Sequence, residues 1–156
     1  MDFNRYYTNE ELETTLKLWG KRFPDLVKLN SIGSSHEGQP IWQVTVSNTT
    51  SEDDLSRPAV WLDGNIHATE LAGTTTVLYI LHHLLESYGK DDRITRLVDT
   101  CTGYAGPRIN PDGAAAAMDG MAAALRQTGM YTLKYFTARA IHNRGQGFAE
   151  QPTGVV

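Results

Sequence analysis

The sequence predicts an α/β domain in which a mixed, mostly parallel sheet is flanked by helices, and three observations carry that prediction. An amphipathic run opens the chain, with Leu12, Leu16, Trp19 and Phe23 recurring at helical steps. Two alternating segments joined by a glycine-bounded turn, Gly33 to Gly38, follow it. Then a short apolar run without alternation, Ala59-Val60-Trp61-Leu62, passes through a polar corner into a long helical stripe, the first half of a βαβ unit.

Taken in order, Thr8 and Glu11 have the spacing of a capping box, with Glu10, Glu11 and Glu13 near the positive end of the helix they would start. The helix is expected over residues 8–22, ended by Pro24. Strands are expected near residues 26–33, 40–47, 58–63 and 102–109. The lack of alternation at Ala59–Leu62 predicts a strand buried on both faces. The stripe Leu71, Thr74, Val77, Leu78, Leu81, Leu84, Leu85 and Tyr88 predicts a helix over 71–88, with Gly89 where a C-terminal cap belongs. A second short helix is expected from Asp91 to Val98. Asn110-Pro111-Asp112-Gly113 fits a type I turn after the returning strand. Residues 114–125 are rich in alanine and methionine around Gly120, and the last dozen residues are expected to be loose. Trp19, Trp42 and Trp61 are spread over three elements, which suits core packing, and Cys101 reads as a small buried apolar residue.

A length of 156 residues suits one domain. With 40% hydrophobic and 21% charged residues the composition is that of a globular protein. A net charge of −4 gives no reason to expect nucleic acid or an anionic membrane as partner. The single cysteine excludes an internal disulfide framework and a CxxC zinc site. Met1-Asp2-Phe3-Asn4-Arg5 has neither the basic nor the apolar part of a signal peptide, so a cytoplasmic location is expected, or a secreted one if a leader was removed.

His67 and Glu70 lie just past the C-terminal end of the Ala59–Leu62 strand, where open α/β sheets bind ligands. Three residues apart, they reach the same side of one helical turn. Imidazole nitrogen and carboxylate oxygen are both zinc donors, and a catalytic zinc takes three protein donors and water. The same letters would also serve a helix entry with a surface histidine and a first-turn glutamate placed by the helix dipole.

The stretch Asp63-Gly64-Asn65-Ile66-His67-Ala68-Thr69-Glu70, between an apolar strand and a long helix, resembles the zinc-binding segment of the metallocarboxypeptidases, of which carboxypeptidase A is the type. Three further segments resemble the family in the same order. Tyr7 to Leu12 with Phe23 to Val27 is similar to its opening helix and "YPxLV" junction, Ser31 to Ile41 to its "SIGxSxEGRPI" hairpin, and Pro107 to Gly113 to its "PRxNPDG" corner. The resemblance implies the N-terminal half of a carboxypeptidase-like (phosphorylase/hydrolase-like) domain. It further implies one zinc ion per complete site, held in part by His67 and Glu70, and hydrolysis at the C-terminus of a peptide or protein. In the family an arginine often stands between the two ligands, where Thr69 stands here, and Gln39 stands where many members have arginine.

Beyond Gly113 the resemblance fades, and a single domain over 1–156, family-like to residue 113 and truncated, is expected. The family's third ligand (a histidine), its general-base glutamate and the Asn-Arg pair that grips a carboxylate come later than any segment matched. Arg126 falls one residue from where the family places an arginine that stabilises the oxyanion. His142 is the sole histidine after His83 and so the sole candidate for a third imidazole, but its neighbours Arg139 to Arg144 read as a helix surface; Asn143-Arg144 matches the carboxylate-gripping pair by letters alone. His36 is expected to be exposed in the hairpin turn, and of His82 and His83 one faces solvent and the other borders the core. The isolated chain is therefore expected to lack hydrolytic activity. The alternatives are a non-catalytic binding or scaffold module and an aspartoacylase-like zinc amidase, against which the hairpin and the NPDG corner favour the peptidase branch.

Overall fold

The computed structural model describes residues 1–48 and 57–128, with side chains through residue 123. The elements are α1 (Asn9–Arg22), β1 (Val27–Ser34), β2 (Pro40–Val46), β3 (Ala59–Asp63), α2 (Leu71–Ser87), α3 (Asp92–Thr100), β4 (Thr102–Gly106) and α4 (Pro111–Thr128). All four strands and α1 to α3 lie in the first of two compact units, Met1–Ala116, and α4 runs on into the second, Ala117–Val156.

The capping box forms as its spacing predicts. Glu11 N–H donates to Thr8 Oγ1 at 3.1 Å, and Thr8 N–H donates back to Glu11 Oε2 at 2.9 Å. Arg5 pairs with the same carboxylate at 2.7 Å, and these bonds hold Glu11 below the usual carboxylate range. Leu12, Leu16 and Trp19 then face inward. Six of the eight residues of the α2 stripe are fully buried, with Leu84 and Tyr88 half-buried at its border. Gly89 adopts φ +74°, the left-handed cap conformation that glycine permits without steric cost. One core cluster joins Leu12, Leu16 and Trp19 of α1 to Val77, Leu78 and Leu81 of α2, against Val44 and Val46 of β2.

The sheet has the order β1-β2-β4-β3. It is mixed, but not mostly parallel: β1 with β2 and β2 with β4 are antiparallel, and the single parallel pair is β3 with β4. The hairpin fixes the first pairing. The second follows because β4, not β3, takes the free side of β2, and α2 and α3 together form the crossover that returns the chain parallel to β3.

The expectation that Ala59–Leu62 is buried on both faces is wrong. β3 is an edge strand among the described residues, with Val60 59% and Trp61 52% exposed. A non-alternating apolar run reports the need for cover, not its presence, and here an apolar groove of about 210 Å3 opens beside β3, lined by Val60, Leu62, Leu81, Leu97, Val98 and Tyr104. Trp61 is accordingly not a core residue; its indole N–H donates to Asp63 at 2.9 Å. Cys101 is half-buried at the C-terminal end of α3 and not enclosed. β4 ends at Gly106, earlier than expected, because Pro107 has no N–H to continue the ladder. Asn110–Gly113 is the start of α4 and not a free turn: Pro111 takes the first helical position, and Asn110 Oδ1 accepts from Gly113 N–H at 2.9 Å. A type I turn and a first helical turn share backbone angles, so the letters suit both.

His83 is exposed and His82 is half-buried, as expected of the pair. The His82 ring lies 5.4 Å from that of Phe3 and 6.2 Å from that of Trp19, and its Nδ1 is buried with no hydrogen-bond partner among the described residues. Burial holds its pKa below the ordinary histidine value, with Glu86 opposing. The unfolded chain therefore takes up this proton first as pH falls. The stability that His82 contributes is complete above about pH 6.5 and is lost as pH drops below it. His82→Phe should flatten the loss of stability between pH 7.5 and 5.5, because the ring no longer titrates, and should stabilise the fold by about 1 kcal/mol at both pH values, since a buried unsatisfied polar atom is removed. Urea midpoints at the two pH values check this; an equal acid loss in both proteins would refute it.

Candidate metal centre

Past β3 the chain remains stitched to the segment after β4. Gly64 N–H donates to Gly106 C=O at 3.0 Å, Ile109 N–H to Gly64 C=O at 3.1 Å, and Asn110 N–H to Asn65 C=O at 3.1 Å. The Asn110 amide then donates to Ile66 C=O at 3.2 Å. On its other side the loop meets the first turn of α2 backbone to backbone: a Cβ on Gly64 would sit 2.6 Å from Gly73 C=O, and one on Gly73 would sit 2.8 Å from Asn65 N. Both positions need glycine for this approach.

Asn65 is 2% exposed and adopts φ +54°, a conformation asparagine tolerates better than most residues. Its amide NH2 donates to His67 C=O at 2.9 Å and Ala68 C=O at 3.3 Å. Glu70 N–H donates to His67 C=O at 3.0 Å, closing a turn whose ends are His67 and Glu70. His67 and Glu70 are thus the two ends of a β-turn before α2, not of the helical turn that their spacing suggested. In such a turn the end Cα atoms lie within about 7 Å. His67 is exposed and Glu70 half-buried. Glu70 is the N-cap of α2 without a side-chain capping bond.

As chemistry, an imidazole and a carboxylate on one turn at the C-terminal end of a parallel strand fit zinc as part of a donor set. Among the described residues no group of three or more histidines, cysteines, aspartates or glutamates is placed to hold a metal. Thr69, in place of the family's arginine, is exposed, and so are Gln39 and His36. Arg126 lies in α4 at a position whose side chain is outside the described residues, and His142, Asn143 and Arg144 lie outside them altogether.

Asn65 is hydrogen-bonded to Thr74, and Thr74 to Arg108, and sequence reasoning passed over all three. Thr74 counts in the sequence merely as a member of an apolar stripe, and Arg108 as a letter in the PRxNPDG corner. The one signal that could have found Arg108 is its place between a proline and an isoleucine, next to an expected strand end. Arg108 is 3% exposed, and burial pulls its pKa down to about 10.

With this geometry in hand, comparison with known proteins is decisive. The zinc carboxypeptidase family model matches residues 12–136. The chain belongs to that family. The match runs past Gly113, where the motif resemblance ends. Mouse carboxypeptidase M is 34% identical over 113 residues, covering 72% of this chain and 25% of that protein. An inactive metallocarboxypeptidase of Ajellomyces dermatitidis is 35% identical over 111 residues, covering 71% of this chain and 19% of that protein. The crystal structure of carboxypeptidase A from Helicoverpa armigera superposes with a TM-score of 0.67 at 28% identity, covering 76% of this chain and 28% of that one. The chain thus spans about a quarter or less of the length of these relatives. No helix among the described residues is long and apolar enough to cross a membrane, and nothing in these relatives supports the cytoplasmic location expected from the first residues.

The glycine contact generates a test. Gly73→Ala should destabilise the fold by about 1–3 kcal/mol, as overpacking does. It should also move the amide resonances of Asn65 and Ile66 more than those of β1. Denaturant unfolding with amide chemical-shift mapping checks both, and an unchanged midpoint with unmoved Asn65 would contradict the close approach.

Proposed function

We propose that His67 and Glu70 are two of the three protein ligands of a catalytic zinc, in a carboxypeptidase site that removes C-terminal residues from peptides or proteins. The single observation that carries this is the His67–Glu70 turn itself, held at the carboxyl end of β3 in a chain of the zinc carboxypeptidase family. A zinc ion held there would polarise the scissile carbonyl as a Lewis acid and acidify water. This chain's part is to present the two donors, an imidazole nitrogen and a carboxylate oxygen, on one turn. A third donor and a proton acceptor must be brought to the same turn. Arg126 is the proposed donor to the developing oxyanion. His142 is not assigned a role.

A second reading is a metal-binding or scaffold module without hydrolysis. It is favoured by the two-donor set among the described residues and by the similarity to a relative named as inactive.

The purified chain should bind zinc more weakly than a three-ligand site does. His67→Ala and Glu70→Gln should each weaken binding at least about tenfold. Release of C-terminal residues from test peptides should be negligible, because general acid–base assistance alone is typically worth about 10²–10⁴-fold. Zinc content by metal analysis and peptide release by mass spectrometry check these outcomes. Tight stoichiometric zinc with full activity would sink the two-ligand account and direct attention to His142→Ala. Zinc binding indifferent to both substitutions would sink the site.

A further inference from the structure

The polar groups behind the His67–Glu70 turn form one connected series running to the start of the chain. Arg108 donates from Nη2 to Tyr7 C=O at 2.6 Å, from Nη1 to Asn9 Oδ1 at 2.7 Å, and from Nε to Thr74 Oγ1 at 3.3 Å. Thr74 is fully buried and donates its own proton to Asn65 Oδ1 at 3.3 Å. The Asn65 NH2 then holds the carbonyls of His67 and Ala68. We propose that Arg108, Thr74 and Asn65 are positioning residues which fix the His67–Glu70 turn from behind and so set how well it captures a metal ion; the metal part of this rests on the function proposed above.

Donor and acceptor chemistry gives the series a direction. Arginine can only donate, so the Thr74 oxygen that receives Nε must pass its single proton onward. That proton identifies the Asn65 atom it meets as the oxygen, which turns the NH2 toward the His67 and Ala68 carbonyls. Reversing the Asn65 amide would set its NH2 against a hydroxyl proton and leave two carbonyls facing an oxygen. The orientation of the loop support is therefore dictated from Arg108, about thirty-four residues along the chain from Thr74.

Arg108 has no carboxylate partner among the described residues, and three oxygens from three separate elements meet its donors instead. A cation buried without a counter-charge is costly, so its site must deliver hydrogen-bond geometry in return. It binds the segment before α1, the first residue of α1 and the middle of α2's first turns to the loop between β4 and α4. Asn9 closes the arrangement by donating to Pro111 C=O at 3.1 Å. Asn65 adds the backbone side of the device: it can adopt positive φ and still carry an amide, a pair of properties glycine and alanine each lack in part.

Three variants of the chain separate positioning from mere stability. Thr74→Val keeps shape and removes the hydroxyl, Thr74→Ser keeps the hydroxyl, and Asn65→Gly keeps the backbone conformation and removes the amide. The first readout needs no metal: hydrogen exchange of the Glu70 amide, compared with that of Val46 in the core of the same protein. Exchange at Glu70 should rise at least about tenfold relative to Val46 in Asn65→Gly and Thr74→Val, and stay near wild type in Thr74→Ser. The second readout is zinc affinity by chelator competition, expected to fall about tenfold in the same two variants. Should Thr74→Val fail to fold, Asn65→Gly decides alone, since it leaves Arg108 and Thr74 with their mutual bond. Glu70 exchange that tracks Val46 in every variant, or zinc affinity unchanged in Asn65→Gly, would overturn the positioning role. The expected exchange pattern in the variants, together with a wild-type chain that binds no zinc, would uphold the positioning of the turn and overturn the metal reading.

Discussion

Arg108 takes a full positive charge into the interior, and the molecule is arranged around finding oxygens for it. The N-terminal segment must come close enough to give the Tyr7 carbonyl, α1 must begin at Asn9 to give its amide oxygen, and α2 must carry a hydroxyl at Thr74. Because these groups come from distant parts of the chain, satisfying one cation fixes the mutual placement of α1, α2 and the β4–α4 loop. Burial lowers the arginine pKa to about 10, well above neutrality, so the charge persists and the requirement does not relax. Hydrophobic packing of Leu12, Leu16, Val77 and Leu78 supplies the bulk of the stabilisation, but it is non-directional. The hydrogen bonds choose the register.

The loop that carries His67 and Glu70 is held from three sides. Backbone bonds to Gly106, Ile109 and Asn110 extend the parallel β3–β4 pairing beyond both strands. The contact of Gly64 with Gly73 brings it against α2, and Asn65 clamps it from within. Strand-end loops on a rigid sheet are where α/β proteins do their chemistry, and rigid support is what a metal ligand pair needs to keep its geometry before the metal arrives. Among the described residues the outer side of β3 leaves Val60 and Trp61 exposed beside an apolar groove, so the same strand carries a second demand for packing.

Much of this was readable in the letters, for reasons that differ by residue. Thr8 and Glu11 form their capping box because the interaction is local, and the α2 stripe is buried where its period places it. The four strands fall close to their expected spans. Pairing is a different matter: nothing in the run Ala59–Leu62 says whether it is central or at an edge, and composition alone led to the wrong choice. Asn110–Gly113 shows a second ambiguity, in which one set of backbone angles serves both a turn and a helix start. His67 and Glu70 stand out in the sequence through their spacing and their neighbours, and the structure places them at the two ends of one turn. Asn65, Thr74 and Arg108 were not, because a polar network is a property of three dimensions, and each residue by itself looks ordinary.

The central claim is that one turn presents His67 and Glu70 to a common ion, held there by the residues behind it. A crystal structure of the zinc-loaded chain, with anomalous scattering at the zinc edge, tests this most directly. The account predicts one anomalous peak at the end of β3, with an imidazole nitrogen of His67 and a carboxylate oxygen of Glu70 each about 2.0–2.2 Å from it. It also predicts that Asn65 still holds the His67 and Ala68 carbonyls in the loaded state. A peak ligated by other residues, or His67 and Glu70 turned to opposite sides with no ion between them, would contradict it.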